Sequence, residues 1–456
     1  MNNAYFIGIG GLGMSGLAKI LYESGGKVAG SDRNIDGDYC KRLRDLGVKI
    51  YNQDGSGIEK FMADSGLSSS EFRVIKSTAV EDKVPDVVTA NKLGIKQIMR
   101  SDLLAEMFNI KKGIAIGGTA GKTTTTGLVT WILKYIGKEP SCAVGGIITG
   151  LETNAFIGKG ENFVIEADES DGSIVKYTPY ISIVTNISRD HKPMDELKSL
   201  FCNFFNNTNK DGFCLVCADD PNAFSLKKLC EREIKTYGIH NDADYRAENI
   251  VTNGVSSTFK VNGIEYTVNM PGEHNILNAL AAIAACNCAG ICLNQISEAL
   301  NEFPGMKRRF EKRGEKNGVV IIDDFAHNPA EIEAALNAAR KQAKNIFAVY
   351  QPHGFNPTNF TKDELINVFS KMNPQNEFLY LDEIFYSGGT VDKNISSENI
   401  ANEVIKEFSN VKCPHSRELI VNDILANAKA GDIALIMGAR DVNNICEMLL
   451  NSETNN

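Results

Sequence analysis

Residues 114–126 read Ile-Ala-Ile-Gly-Gly-Thr-Ala-Gly-Lys-Thr-Thr-Thr-Thr, an apolar segment that runs into glycines and then into the start of a helix. A strand, a glycine turn and a helix in this order direct backbone N–H groups and the helix N-terminus towards an anion. Ile116 stands where the pattern G-x-x-x-x-G-K-[ST] has its first glycine, so the loop has the shorter form G-T-x-G-K-T. The segment predicts an α/β domain with a phosphate-binding loop.

This loop contains the residues that we expect to hold a nucleotide phosphate, namely Gly118, Thr119, Gly121, Lys122, Thr123 and Thr124. Lys122 is expected to neutralise the β- and γ-phosphates, and the Thr123 hydroxyl is expected to reach Mg2+. A plain glycine turn with a solvated lysine is the alternative interpretation.

The order of strand, glycine turn and helix recurs along the whole chain, which indicates an α/β fold with mostly parallel sheets. At 456 residues the chain is too long for one core. We predict three domains: a Rossmann-like N-terminal domain at 1–108, a central domain with the phosphate-binding loop at 109–312, and a C-terminal Rossmann-like domain at 313–456. A β-rich insert is expected around 243–270.

Composition restricts the class of protein. The net charge of -9 argues against a nucleic-acid partner, which requires a basic face. No apolar run reaches the roughly 20 residues of a membrane span, and the first residues lead into a strand, so we expect no membrane segment and no signal peptide. Eleven scattered cysteines are typical of reduced thiols in a cytoplasmic protein. The Cys214-x-x-Cys217 pair lies in a strand-like run, where buried packing is the favoured interpretation.

A second glycine loop follows the first strand, with Gly8, Gly10, Gly11 and Gly13 in close succession. The pattern G-x-G-x-x-G usually suggests NAD or FAD, and Asp32 occupies the place of the ribose-binding acid. Any nucleotide with two phosphates would be held by the same backbone groups, so the loop indicates a diphosphate more firmly than a nicotinamide. Close packing of helix on strand is the structural alternative.

A dense acidic segment, Glu166-Ala-Asp-Glu-Ser-Asp171, follows another predicted strand. Carboxylates this close repel one another unless a cation neutralises them, and Mg2+ prefers such oxygen ligands. A solvated acidic turn is the alternative, but the phosphate-binding loop favours the metal. His191 follows the next strand and is expected at the same sheet edge, in contact with metal or substrate.

Three further groups suggest nucleotide contacts. Asn275 and Asn278 are spaced to share one helix face, although Asn275 could instead cap its helix. Arg309 is either half of a surface basic pair or a cation that stabilises a transferring phosphoryl group. Asp324 and His327 follow the first strand of the third predicted domain, where an Asp–His pair can face a nucleotide.

Taken in this order and spacing, these motifs resemble the Mur ligase family over nearly the whole chain, closest to the branch of UDP-N-acetylmuramate–L-alanine ligases and murein peptide ligases. Arg100-Ser-Asp-Leu-Leu-Ala-Glu and Met14-Ser-Gly16 belong to the same match. The resemblance implies an N-terminal domain for a UDP-sugar, a central ATPase domain, and a C-terminal domain that brings the amino acid.

The resemblance also implies roles for individual residues. The UDP-sugar would be bound by Gly10, Gly11, Gly13, Ser31, Asp32 and Ser77, with His353 on the side of the amine. ATP would be bound by the loop residues above together with Asn275, Asn278, Arg309, Asp324 and His327. Thr123, Glu166 and His191 would hold Mg2+, and the catalytic set would be Lys122, Glu166, His191 and Arg309. Some sister families hold a second metal with a carbamylated lysine. Its place falls near Phe204 in this chain, so we expect none here.

The implied reaction is ATP-dependent amide formation between a UDP-N-acetylmuramate-type carboxylate and an amino acid or peptide amine, through an acyl-phosphate that releases ADP. L-alanine is the default amine. This chain departs from the family pattern at Ala120, at Lys192-Pro193, at Asn328 and at Gly354 to Pro357, where arginines normally follow the histidine. The alternatives are a paralogue that joins another amine or peptide, a nicotinamide-dependent dehydrogenase, and a non-catalytic nucleotide-binding module.

Overall fold

The computed structural model describes residues 2–188, 193–253, 255–386 and 393–452. The chain forms two compact units, one made of 1–250, 259–267 and 276–304, the other of 251–258, 268–275 and 305–456. Among the described residues, none of the helices has both the length and the apolar character that a bilayer crossing requires.

The first sheet of the larger unit has five strands in the order β3-β2-β1-β4-β5, and all of its pairings are parallel. Every side chain of the central strand β1 is buried, because parallel strands are covered by helices on both faces. Its strands and helices are β1 (Ala4–Ile7), α1 (Leu12–Glu23), β2 (Val28–Asp32), α2 (Asp38–Asp45), β3 (Lys49–Asn52), α3 (Gly57–Ser65), β4 (Arg73–Lys76), α4 (Pro85–Lys92), β5 (Gln97–Met99) and α5 (Arg100–Phe108).

The second sheet has eight strands in the order β13-β12-β11-β10-β6-β9-β7-β8, with β7 and β8 antiparallel. Its central strand β6 leads directly into the phosphate-binding loop. The elements are β6 (Lys112–Gly117), α6 (Lys122–Tyr135), β7 (Ser141–Ile148), β8 (Thr153–Phe156), β9 (Asn162–Glu166), β10 (Ile181–Val184), α7 (Met194–Asn206), β11 (Phe213–Cys217), α8 (Pro221–Phe224), α9 (Leu226–Leu229), β12 (Ile234–Gly238) and β13 (Tyr245–Arg246).

A three-stranded sheet and two helices follow in the chain. The strands are β14 (Glu248–Thr252), β15 (Ser257–Val261) and β16 (Ile264–Val268), in the order β14-β15-β16. The helices are α10 (Glu273–Cys288) and α11 (Leu293–Asn301). The β-rich insert expected from the sequence around 243–270 is therefore present.

The smaller unit contains a six-stranded sheet in the order β17-β18-β22-β19-β20-β21, parallel except for the β17–β18 pair. Its elements are β17 (Glu311–Lys316), β18 (Val319–Asp324), α12 (Pro329–Arg340), β19 (Ile346–Tyr350), α13 (Phe355–Phe360), α14 (Lys362–Ser370), β20 (Glu377–Leu381), α15 (Ser397–Val404), β21 (Val411–Lys412), α16 (Arg417–Asn427), β22 (Ile433–Met437) and α17 (Asn444–Asn451). Strands β22, β19 and β20 are neighbours, so the loops after them start at one edge of the sheet.

The predicted fold class, α/β with mostly parallel sheets, is confirmed. Its physical basis is visible in the central strands β1, β19 and β22, which are apolar and buried along their whole length because helices cover both faces of a parallel sheet. The domain boundaries near 108 and 312 stay predictions.

Candidate active site

The phosphate-binding loop connects β6 to α6 and requires glycine at two positions. Gly118 has φ +125° and Gly121 has φ +82°, a region that side chains with a Cβ rarely occupy. A Cβ on Gly121 would also collide with the amide oxygen of Asn278, and one on Gly118 with the Thr185 hydroxyl. The loop is therefore held in one conformation by its own glycines and by the side chains packed against them.

Asn186 holds the loop from the neighbouring strand end, a role that the sequence motifs did not indicate. Its Oδ1 accepts hydrogen bonds from the Thr119 hydroxyl at 2.7 Å and from the Ala120 amide at 2.9 Å. Its Nδ2 donates to the Ala120 carbonyl at 2.9 Å, and the Thr185 hydroxyl donates to the same carbonyl at 2.6 Å. Ala120 is thus held through its backbone amide and carbonyl. These hydrogen bonds do not depend on which side chain stands at position 120. The available signal was the position of Asn186 just after β10.

Lys122 begins α6 with its ammonium turned back into the loop. Its Nζ donates to the Gly118 carbonyl at 2.5 Å and to the Glu169 carboxylate at 2.9 and 3.1 Å. Burial alone would lower the pKa of Lys122, but the charges of Glu169 and Glu166 raise it above its ordinary value. The lysine therefore stays cationic, as phosphate binding requires.

Thr123 and Glu166 form the second half of the site. The Thr123 hydroxyl donates to both carboxylate oxygens of Glu166, at 3.1 and 3.0 Å, and the Gly145 amide donates to one of them at 2.7 Å. A hydroxyl and a carboxylate beside a phosphate-binding loop are the hard oxygen ligands that Mg2+ prefers. Within the described ranges no three His, Cys, Asp or Glu side chains converge on one point. His191 lies outside the described residues.

The remaining predicted loop contacts divide into two groups. Thr119 and Thr124 belong to the loop and the first turn of α6, and both are almost fully buried. Asn278 lies beside the loop and its Oδ1 accepts a 3.3 Å hydrogen bond from the Thr125 hydroxyl. Asn275 does not cap α10, which begins at Glu273; its side-chain amide donates to the Pro271 carbonyl at 2.7 Å.

A cavity of about 150 Å3 opens beside Glu166, within the larger unit. It is lined by Gly13 of α1, by Arg100 and Leu104 of α5, and by Glu166 and Asp168 of the acidic segment. A Cβ on Gly13 would lie 3.2 Å from the Arg100 guanidinium, so glycine leaves room for this side chain. The positive charge of Arg100 is one of the influences that lower the pKa of Asp168, against the opposing effect of burial. Arg100 is a cation at this cavity to which the sequence motifs gave no individual role.

The glycine loop at Gly8 to Gly13, which follows β1, is held by Asp32. One carboxylate oxygen of Asp32 accepts from the Gly10 amide at 2.8 Å, and the other accepts from the Asn34 amide at 2.9 Å. Gly11, in extended conformation, is the N-cap of α1, which begins at Leu12. Ser31 is fully buried in β2, whereas Ser77 is half-buried just after β4.

In the smaller unit, Asp324 at the end of β18 accepts hydrogen bonds from the Phe310 and Ala326 amides, both at 2.7 Å. Burial raises the pKa of Asp324 to about 6. His327 and Arg309 both face Glu331, at 3.0 and 3.7 Å. Burial would raise the pKa of Glu331, but the His327 hydrogen bond and the charges of His327 and Arg309 lower it to about 2.

Three other features of this unit explain residues that the sequence singled out. Asn328 is the N-cap of α12, since its Oδ1 accepts from the Glu331 amide at 3.0 Å. Arg308 is structural, because its guanidinium donates to Asp323 and to two carbonyls after β22. His353 accepts a 3.0 Å hydrogen bond from Arg440 at Nε2, and its pKa is lowered to about 4 by burial and by that positive charge.

Models of the Mur ligase family match three consecutive parts of this chain. The Mur ligase family catalytic-domain model matches residues 3–112, the Mur ligase middle-domain model matches 116–286, and the Mur ligase glutamate ligase domain model matches 308–440. The phosphate-binding loop, Glu166 and Asn278 all lie within the middle-domain match.

Relatives match nearly end to end. A UDP-N-acetylmuramate–L-alanine ligase of Carboxydothermus hydrogenoformans is 38% identical, covering 98% of this chain and 96% of the relative. One from Clostridium novyi is 37% identical, covering 98% and 97%. The crystal structure of the UDP-N-acetylmuramate-alanine ligase of Thermotoga maritima has a TM-score of 0.81 at 26% identity, covering 98% of both chains. A murein peptide ligase of Psychrobacter arcticus has a TM-score of 0.71 at 25% identity, also covering 98% of both chains. The chain belongs to the Mur ligase family.

Proposed function

We propose that this chain joins the carboxylate of UDP-N-acetylmuramate to the amine of L-alanine, with ATP converted to ADP and phosphate, as a step in peptidoglycan precursor synthesis. As a Mur ligase it is an ATP-dependent ligase. The observation that carries the proposal is the convergence of Lys122 and Glu166 on the loop between β6 and α6, beside a cavity that contains Arg100. The residues named from the sequence for ATP and for the sugar keep those roles as proposals.

In the first step a carboxylate oxygen attacks the γ-phosphorus of ATP, and the bond from that phosphorus to the β-phosphate bridging oxygen breaks, releasing ADP. The loop amides and Lys122 neutralise charge on the phosphates, which is the main contribution that a protein makes to phosphoryl transfer. Thr123 and Glu166 would hold Mg2+, which supplies positive charge at the γ-phosphate. Arg100 would hold the sugar carboxylate in the cavity beside Glu166.

In the second step the amine attacks the acyl carbon, phosphate leaves, and the amine loses a proton. Positive charge near Lys122 favours the oxyanion that forms on the carbonyl oxygen. We propose a cytoplasmic location, where ATP is supplied; all eleven cysteines are free thiols in the structure.

Three alternatives can be compared with the observed contacts. A paralogue that joins a different amine or peptide would use the same ATP site and would differ in the amine that it accepts. A nicotinamide-dependent dehydrogenase leaves Lys122, Thr123 and Glu166 without a role, and a silent module leaves their arrangement unexplained.

The proposal is tested by ADP release from ATP and UDP-N-acetylmuramate in Mg2+, with L-alanine, other amino acids or a murein peptide as the amine. We expect turnover with L-alanine and little without an amine. Turnover with a peptide alone would move the chain to the paralogue branch. Nicotinamide reduction without ATP, or no ADP with any amine, would overturn the ligase assignment.

Arg100→Gln tests the role of the cavity. We expect the KM for the UDP-sugar to rise about tenfold or more, because a hydrogen bond to a charged group contributes roughly 1.5–3 kcal/mol. The KM for ATP should stay within twofold. Lys92→Gln, an equal charge change at the exposed end of α4, is the matched control. An unchanged KM for the UDP-sugar would remove Arg100 from the site.

A further inference from the structure

The loops after β22, β19 and β20 meet at one edge of the sheet in the smaller unit. Gly354 donates its amide to the Phe385 carbonyl at 3.0 Å, and Phe385 donates its amide to the Pro352 carbonyl at 2.9 Å. These loops therefore form a connected surface at the carboxyl ends of parallel strands, where α/β sheets bind ligands. Under the proposed function the incoming amine is an amino acid with a carboxylate, and the role of this surface rests on that function.

Arg440 places a guanidinium on this surface. Its Nε donates to His353 Nε2 at 3.0 Å, and its Cζ lies 5.7 Å from the centre of the Phe385 ring. The Arg440 carbonyl accepts from Arg308 at 2.9 Å, which fixes the backbone at this point. The side chain is exposed, and its two terminal nitrogens donate no hydrogen bond within the described parts of the chain. A planar guanidinium anchored at Nε and open at both Nη atoms matches the two oxygens of a carboxylate.

The neighbouring arginines are already neutralised. Arg417 donates to Asp382 at 2.9 Å and to Asp441 at 2.8 Å. Arg308 donates to Asp323 and to two backbone carbonyls. His353 is neutral at physiological pH, because its pKa is lowered to about 4 by burial and by Arg440.

Lys393 is the competing cation on this surface. Its ammonium lies 4.5 Å from the centre of the Tyr386 ring and 5.7 Å from that of Phe355. A single ammonium held over aromatic rings is a point charge and lacks the fork that fits a carboxylate. Gly354 and Pro357, which follow His353, have no side-chain donor.

We propose that Arg440 receives the carboxylate of the incoming amino acid and so determines that the amine substrate carries one. The Arg440–His353 hydrogen bond joins residues 87 positions apart in the chain. It positions a guanidinium that can bind a carboxylate, a group that Gly354 and Pro357 do not provide. His353 acts as a positioning residue, since it accepts from Nε and directs the two Nη atoms outward.

The test compares L-alanine with L-alaninamide, which lacks the carboxylate, in the ADP-release assay on the full chain. For Arg440→Gln we expect the KM for L-alanine to rise at least tenfold, with the KM values for ATP and the UDP-sugar within twofold. The kcat/KM for L-alaninamide should change by less than twofold, which separates loss of carboxylate binding from a general defect. Arg440→Lys should recover part of the loss, because it keeps the charge without the fork.

Lys406→Gln, on the exposed surface of the same unit, is the control for a lost charge, and Lys393→Gln tests the competing cation. An unchanged KM for L-alanine in Arg440→Gln, or a tenfold rise in Lys393→Gln alone, would overturn the inference while wild-type turnover upholds the proposed function. If wild-type enzyme releases no ADP with either amine but does so with another amino acid, the same comparison is made with that amino acid and its amide. Absence of turnover with every amine contradicts the proposed function itself.

Discussion

Lys122→Ala is expected to lower kcat/KM for ATP roughly 1000-fold, because it removes the only cationic side chain of the loop that can neutralise the transferring phosphate. The ammonium is buried against the Gly118 carbonyl and Glu169. The measurement is ADP release over a range of ATP concentrations, with nucleotide affinity determined separately by calorimetry. Lys134→Ala, at the exposed end of the same helix, should leave both values unchanged.

The same substitution also leaves the buried Glu169 carboxyl without its cationic partner, and a buried pair that loses one partner is destabilised by about 3–5 kcal/mol. Lys122→Ala with Glu169→Gln removes that cost without restoring a cation. We expect this double variant to regain thermal stability and to stay inactive. Recovery of activity in the double variant would mean that Lys122 serves the fold rather than the phosphate.

Glu166→Gln is expected to lower kcat roughly 100- to 1000-fold and to raise the Mg2+ concentration needed for half-maximal activity. Glutamine keeps the shape of the side chain and can still accept the Thr123 hydrogen bond, but it removes the negative charge that a divalent cation requires. The measurement is ADP release as a function of Mg2+ at saturating ATP.

Three variants make this result specific. Asp171→Asn, an exposed carboxylate of the same acidic segment, should keep the wild-type Mg2+ dependence. Thr123→Ser should be close to wild type and Thr123→Val should resemble Glu166→Gln, because only the hydroxyl matters. An unchanged Mg2+ dependence in Glu166→Gln would show that the metal is held elsewhere.

Much of the fold was accessible from the sequence because its signals are local. The apolar runs before Gly8 and Gly118 predicted parallel strands, and both are central strands of their sheets. The family resemblance, carried by short motifs in a fixed order, is confirmed over nearly the whole chain. The assignment of individual side chains to ATP, metal or sugar stays a prediction, with His191 outside the described residues.

The contacts that escaped sequence reasoning depend on distant partners. Asn186 holds Ala120 from 66 residues away, and its position just after β10 was the one local signal. Asn275 was a candidate helix cap, but α10 starts two residues earlier and the side chain bonds to Pro271 instead. Asn328, noted only as a departure, is the cap of α12.

The sequence by itself determined the alternation of strands and helices, the glycine conformations of the phosphate-binding loop and the family, because these follow from backbone freedom and from periodicity over a few residues. Only the tertiary structure decided the partners of each charge. Glu169 pairs with Lys122, 47 residues away in the chain, and Arg440 donates to His353, 87 residues away. These residues come into contact because the carboxyl ends of neighbouring parallel strands are aligned at the same edge of a sheet. Which cation is neutralised and which stays open to a ligand is a property of that alignment, and it is what points to Arg440.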